Sequence, residues 1–528
     1  MLNDSNIASS NYDMGIDIEI LDTTLRDGEQ TSGVSFSPSE KLSIARNILL
    51  ELRVPRIEVA SARVSSGEKD SVRRICSWAK KKKLLDAIEI LGFVDDGVSV
   101  NWITEVGGKV INLLCKGSEK HCRLQLGKSP EEHFADIRRN IDIATKAGLK
   151  VNLYLEDWSN GITMSPQYVY DMVDALIDLP VCRFMLPDTL GVMNPNQVYE
   201  YCKRMVNRYP QAHFDFHAHN DYDLATANSF AAGLVGVRGI HCTINGLGER
   251  AGNAPLSSVI TVVHDMLHKT TGVVEKKINK ISRIVESFSG VMVPANKPIV
   301  GDSVFTQCAG VHADGDNKSN LYYNDLLPER FGREREYALG KTSGKANIKK
   351  NLDSLGIDLS ENDIKTVTQR VIELGDKKEI VTPDDLPYIV ADVLKHDIVQ
   401  SKVRIVNYAL SLSQGLRPTA TIKLDFDGRE YQQSAVGDGQ FDAFVKAVKK
   451  IYKENLGRSF PMLTNYIVNI PPGGRTDALV HTTISWEYKG HQFKTRGLDA
   501  DQIEAAIQAT LKMLNIIEPT EYVKTKKT

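Results

Sequence analysis

An apolar stretch from Ile16 to Leu21 ends in the run Asp22-Thr23-Thr24-Leu25-Arg26-Asp27-Gly28-Glu29-Gln30, which sets an arginine beside a carboxylate in a glycine-containing turn. Such a run reads as a buried strand opening into a polar site. Far downstream, Phe214-Asp215-Phe216-His217-Ala218-His219-Asn220-Asp221 closes another apolar and polar alternation with two histidines two residues apart. Residues i and i+2 of a strand share a face, so both imidazoles can converge, and with Asp27 they make a two-histidine, one-carboxylate donor set for a divalent metal. The Gly-rich run Asn245 to Asn253 follows an apolar stretch and offers Asn253 as a neutral oxygen ligand to a hard cation. Glu156, in Glu156-Asp157-Trp158-Ser159-Asn160-Gly161, is a candidate acid or base, although the same run could cap a helix. Two other motifs fail on spacing. Val311-His312-Ala313-Asp314-Gly315 lacks the glutamate that an EF-hand places six residues after its glycine, and Gly340-Lys341-Thr342 has Arg335 where a P-loop needs its first glycine.

The elements that would position these residues recur with a regular order. Strand-like segments fall at Ile18-Leu21, Arg56-Ala60, Ala87-Phe93, Val110-Leu114, Lys150-Leu155, Arg183-Leu186, His213-Phe216 and Gly239-Ile244, separated by helical patterns such as Glu40-Leu52, Ser71-Lys82, Glu131-Ala147 and Asn196-Tyr209. Alternation of this kind predicts parallel strands joined by crossover helices, closed into an α/β (β/α)8 TIM barrel. Asp27, Glu156, Asp188-Thr189, His217-His219 and Asn245-Asn253 all follow strand ends, on the face where such barrels carry their chemistry.

The chain of 528 residues is too long for one core. We expect a tail over 1–16, the barrel over 17–290, linker and helical connecting subdomains over 291–400, a C-terminal α+β domain over 401–518 and a tail over 519–528. The C-terminal domain repeats itself. Asn407-Tyr408, Gly415, Ile422-Leu424, Gly428 and the helix Phe441-Val448 are answered by Asn465-Tyr466, Gly474, Ile484-Trp486, Gly490 and Ile503-Leu511, a pseudo-symmetric pair able to hold a small effector. A net charge of -2 gives no global reason to bind nucleic acid or a membrane surface, and the runs Lys80-Lys83 and Lys524-Lys527 read as solvated. With no leader, no spanning apolar run and seven cysteines without a CxxC pair, a reduced, cytoplasmic protein is expected.

Taken together, Asp22 to Gln30, His217 to Asp221 and Asn245 to Asn253 resemble the signatures of the DRE-type TIM-barrel condensing enzymes, the isopropylmalate, citramalate and homocitrate synthases, which join acetyl-CoA to a 2-oxo acid. The resemblance covers nearly the whole chain. It implies Asp27, His217, His219 and Asn253 as ligands of a divalent metal (manganese, magnesium, zinc or cobalt), with Arg26, Tyr154 and Thr189 around the oxo acid. Glu156 would be the acid/base, with His312 the other candidate for taking the proton directly. Asp314, Asn320, Leu321 and Tyr322 would lie with His312 at the acetyl-CoA end, supplied by the partner in a homodimer, and Tyr322 would join the catalytic set. By the same analogy Leu91, Leu114 and Tyr154 line the oxo-acid pocket. Leu114 and Tyr154 stand where isopropylmalate synthases usually carry a histidine and a small residue, which favours pyruvate over 2-oxoisovalerate. The stretches Ile57-Val64, Tyr154-Gly161 and Leu327-Gly332 resemble citramalate synthases more closely. The C-terminal repeat resembles an isoleucine-binding regulatory domain, placing Phe441, Asp442, Leu463, Tyr466, Ile470, Thr476, Val480 and Gln502 near an amino-acid effector. Phe441 and Ala500 replace a tyrosine and a proline of that pattern, leaving leucine as a second candidate. The alternatives are an isopropylmalate synthase, a barrel lyase of the same superfamily, and a catalytically silent amino-acid sensor.

Overall fold

The computed structural model describes residues 16–317, 321–354, 357–376, 381, 383–386, 389–390, 393, 402–469 and 480–518. Asn320, Ile470 and Thr476 lie outside the described residues. The chain divides into two compact units, one formed by residues up to 306 with 323–336, the other by 307–322 with 337 onward.

In the first unit, eight short strands rich in Val, Ile and Leu are buried along most of their length: β1 (Glu19–Asp22), β2 (Arg56–Ser61), β3 (Ile88–Phe93), β4 (Val110–Lys116), β5 (Lys150–Glu156), β6 (Val181–Asp188), β7 (Phe214–Ala218) and β8 (Gly239–Cys242). Each pairs in parallel with the next and β8 returns to β1, closing the expected barrel. Near-continuous burial follows from closure, since helices cover the outside and side chains fill the inside. Several crossover helices start the same way. Pro38–Arg46, Pro130–Lys146 and Pro195–Arg208 each carry a reciprocal capping box, Ser37 with Glu40, Ser129 with Glu132 and Asn194 with Gln197, and a proline at the first turn. The last expected strand is shorter than its apolar run. Asn245 turns into the left-handed region at φ 60°, so the chain leaves the sheet after Cys242 and passes through the turn Ile244–Gly246.

Register stacks the barrel interior in layers. Asn112 pairs with Asn152, Leu114 with Tyr154, and Lys116 with Glu156, climbing β4 and β5 towards the C-terminal rim. At the opposite end Arg56 is buried between Glu89 at 2.7 Å and Asp215 at 2.8 Å.

The rim end of β4 is braced from outside by His133, whose Nε2 accepts the Lys116 N–H at 3.1 Å. Burial lowers the His133 pKa to about 4, Asp136 opposing and Lys128 and Lys116 adding to the shift. An unfolded histidine titrates near 6.5, so this group's contribution is complete above that pH and is lost as pH falls towards 4. The loss is worth about 3 kcal/mol. His133→Gln keeps an acceptor but cannot titrate. Its unfolding free energy is therefore expected to fall less steeply than that of the natural protein between pH 6.5 and 4, which urea titrations at stepped pH would show.

The second unit contains the anticipated repeat. Val403–Ser411, Thr419–Phe426 and Arg429–Val436 form one antiparallel sheet and Met462–Asn469, Val480–Tyr488 and His491–Asp499 another, followed by the helices Gln440–Lys450 and Gln502–Ile517 respectively. Both first strands bulge at the same place in the repeat, between Ile405 and Asn407 and between Leu463 and Asn465. Phe444, Tyr452 and Trp486 are the large side chains of their common core. Upstream, Ile348, Leu352, Val367 and Val371 build a separate helical core. Among the described residues, no helix is long and apolar enough to cross a membrane.

Candidate active site

β1 ends in a turn held by its own threonines. Arg26, Asp27 and Gly28 N–H all donate to the Thr23 carbonyl, and the Thr24 hydroxyl accepts from Ile244 N–H at 2.8 Å while donating to Asp22. This ties the first turn to the loop after β8. Asp22 is buried, accepts from the Thr24 N–H and hydroxyl at 3.0 Å each, and has its pKa raised by burial to about 7 against those hydrogen bonds.

Asp27 thereby reaches the end of β7. Its Oδ2 lies 3.2 Å from His217 Nε2 and 3.7 Å from His219 Nε2. His219, one residue past the strand, bridges to Asn253, so the loop after β8 joins the same cluster. All four side chains are buried. Burial opposes the Asp27 charge, but Arg26, His217 and His219 outweigh it and hold the carboxyl well below the usual range. Burial and His217 lower the His219 pKa to about 4, with Asp27 opposing, and burial lowers His217 as well. Both imidazoles are thus neutral at ordinary pH, the form that ligates metal.

Asp27 Oδ1, both His217 nitrogens, His219 Nδ1 and Asn253 Oδ1 are buried without a hydrogen-bond partner among the described residues. Unpartnered polar atoms on one carboxylate, two neutral imidazoles and one amide fit a divalent cation, and ligand atoms of Asp27, His217 and His219 lie within 4.8 Å of one another. The loop that carries Asn253 depends on glycine. A Cβ on Gly248, whose φ is 155°, would sit 2.2 Å from Asn253 Nδ2. Gly248→Ala is expected to weaken metal binding by about 10- to 100-fold, the loss typical when a ligand's support is disturbed, as titration of the purified protein with Mn²⁺ would show.

Arg26 stands between two acids. Its Nε donates to Glu58 at 2.6 Å and its Nη1 lies 3.3 Å from Asp27, while Nη2 is buried without a hydrogen-bond partner. Burial disfavours its charge, yet Glu58 and Asp27 more than restore it. Beside it, Tyr154 lies 5.6 Å from the Arg26 guanidinium carbon and 5.7 Å from the His217 ring. Leu21, Leu91, Tyr154 and Met185 form one apolar patch with Leu114 packed against it. Leu91, Leu114 and Tyr154, expected to line a pocket, are therefore brought together next to the Asp27, His217 and His219 cluster. On the rim, Thr189 accepts Asp157 N–H at 2.9 Å through its hydroxyl, and Glu156 is half-buried and ion-paired with Lys116.

A family model described as HMGL-like matches residues 17–285, and the models for a homocitrate synthase post-HMGL domain and a LeuA allosteric (dimerisation) domain match 299–379 and 380–518. A provisionally named (R)-citramalate synthase of Methanopyrus kandleri is 34% identical, over 90% of this chain and 91% of its own. The chain belongs to the HMGL-like family. Within it, its relatives are synthases of the citramalate and isopropylmalate type, so this is an acyltransferase. An (R)-citramalate synthase of Methanocaldococcus jannaschii is 33% identical over 95% of this chain and 99% of its own, and a 2-isopropylmalate synthase of the same organism is 33% identical over 95% and 94%.

This HMGL-like chain carries its other expected site residues in the second unit. There the His312 and Tyr322 rings lie with centroids 4.3 Å apart and planes tilted by 37°, Asp314 follows His312 by two residues, and Leu321 is exposed. In the repeat, Phe441 packs on Tyr466 at 5.2 Å, and Asp442 accepts Lys446 at 2.6 Å and Asp438 N–H at 2.8 Å. Leu463 is exposed, Val480 is buried, and Gln502 opens the last helix. Two residues of the barrel site escaped the sequence reading. Glu58 alternates with apolar residues in β2, and Lys116 ends β4 as one of many lysines. Their positions, facing inward at i+2 from Arg56 and from Leu114, were the available signal.

Proposed function

We propose that the protein condenses acetyl-CoA with a 2-oxo acid, pyruvate in preference to larger ones, giving (R)-citramalate and free CoA. The observation that carries this reading is the cluster of Asp27, His217 and His219, with Asn253 bridged to His219, set beside Arg26 and an apolar patch of Leu91, Leu114 and Tyr154. A divalent cation held by that cluster would polarise the ketone of the oxo acid. The remaining work falls to side chains. Arg26, with its unpartnered Nη2, balances the charge that develops on the thioester oxygen as the acetyl methyl loses a proton. Glu156 or His312 takes that proton, the new carbanion bonds to the ketone carbon, and the ketone oxygen gains a proton. Water then cleaves the thioester, so CoA leaves as the thiol and the acetyl carbon becomes a carboxylate. His312, with Asp314, Asn320, Leu321 and Tyr322, belongs in this reading to the acetyl-CoA end and comes from the partner in a homodimer. A branched-chain amino acid bound near Phe441 and Tyr466 is the expected feedback inhibitor, and the enzyme is cytoplasmic.

The bulk of Leu114 and Tyr154, paired neighbours one layer above Asn112 and Asn152, favours pyruvate. Relatives of both specificities are equally similar, so the test must act on the pocket. Leu114→Ala is expected to raise the kcat/KM ratio of 2-oxoisovalerate to pyruvate by about 10- to 200-fold, the worth of the methylenes admitted. An unchanged ratio would remove Leu114 from the specificity pocket.

A further inference from the structure

Arg26 cannot neutralise Glu156, because its own charge is shared between Glu58 and Asp27. The charge that does so is Lys116, the only cation ion-paired with Glu156 among the described residues. The two face each other across the register of β4 and β5, one layer above Leu114 and Tyr154, with the Lys116 side chain 12% exposed and that of Glu156 25% exposed. Both are held from behind. The Lys116 N–H donates to His133 at 3.1 Å and its carbonyl accepts the Tyr168 hydroxyl at 2.8 Å. Burial keeps His133 neutral, and therefore able to accept. The next residue, Gly117, lets the strand end close on its neighbours. A Cβ there would lie 2.4 Å from the Leu155 carbonyl oxygen, and one on Gly161 would lie 2.0 Å from the Gly117 carbonyl oxygen.

The Glu156 backbone is fixed as firmly. Asp157 follows it in the left-handed region at φ 64°, a conformation that aspartate adopts more readily than most side chains. Ser118 and Asn160 donate to the Asp157 carboxylate at 2.7 Å each, and its N–H goes to Thr189. A rim this constrained fixes one orientation of a lysine and a glutamate.

We propose that Lys116 is a positioning residue for the synthase reaction, holding the Glu156 carboxylate at the mouth of the oxo-acid pocket and supplying the positive charge that offsets it. The inference rests on the synthase reading above. It predicts that Lys116 acts only through Glu156.

A double-mutant cycle on the full-length enzyme tests it, with acetyl-CoA, pyruvate and Mn²⁺ and with thermal midpoints recorded for every variant. Lys116→Met is expected to lower kcat by about 100-fold, the cost of misplacing a reacting group by about 1 Å, with KM for pyruvate changed by less than about threefold. Lys116→Arg should recover most of the loss, and Lys116→Gln, which retains a donor, enters the same cycle as a milder variant. The deciding member is Lys116→Met combined with Glu156→Gln, expected to be no slower than Glu156→Gln alone. Losses that multiply would overturn the proposal, as would a drop in kcat matched by a drop in thermal midpoint that arginine fails to rescue. Absence of turnover by the natural enzyme would overturn the synthase reading and this proposal with it, whereas turnover with multiplying losses overturns only the role of Lys116.

Discussion

Asp27→Asn is expected to lower metal-dependent turnover by about 10³-fold, the rate equivalent of losing several kcal/mol of Lewis-acid stabilisation. Asparagine keeps the shape and one oxygen but removes the only negative charge in a donor set whose other members are two neutral imidazoles and an amide. Desolvation no longer has to be overcome at this position, so the variant is expected to fold. Arg26 keeps Glu58 as its counter-charge. Calorimetric titration with Mn²⁺ separates the two effects: binding weakens sharply while the thermal midpoint of the metal-free protein changes little. Retention of full metal affinity by Asp27→Asn would show that the cation is held elsewhere.

Glu58→Leu is expected to cost about 3–5 kcal/mol of folding stability, because it leaves a buried arginine short of its main counter-charge. Glu58 is wholly buried and accepts from Thr23 at 2.8 Å, Arg26 at 2.6 Å and Asn112 at 2.8 Å. Asn112 in turn accepts from Asn152 at 2.8 Å, and Asn152 reaches towards Glu89, the partner of Arg56. The barrel interior is thus a connected polar column, and removing one acceptor strands three donors at once. Glu58→Gln, which can still accept, should lose less. Urea unfolding of the three proteins gives the comparison, and a Glu58→Leu variant as stable as the natural protein would refute the account of the column.

The barrel itself was legible because each strand is a short apolar run bounded by turns, and closure needs only that the runs alternate with helices. The convergence of Asp27, His217 and His219 was legible because the two histidines sit at the i and i+2 spacing that puts both on one face. The polar column was not. Arg56 and Asp215 are 159 residues apart in sequence, and their pairing depends on barrel closure, which no local pattern states. Lys116 escaped for a related reason, since its meaning comes from register with Glu156 and a lysine after a strand otherwise reads as solvated. The end of β8 was misplaced by two residues because Asn245 adopts a left-handed turn that its apolar neighbours conceal.

The central claim, that this barrel joins acetyl-CoA to a small 2-oxo acid under metal control, is tested most directly by following CoA release with purified protein, with and without Mn²⁺, on pyruvate and on 2-oxoisovalerate. The account predicts CoA release that requires the metal and is faster on pyruvate. Preference for 2-oxoisovalerate would contradict the pocket assignment, and no metal-dependent release with either acid would contradict the claim itself.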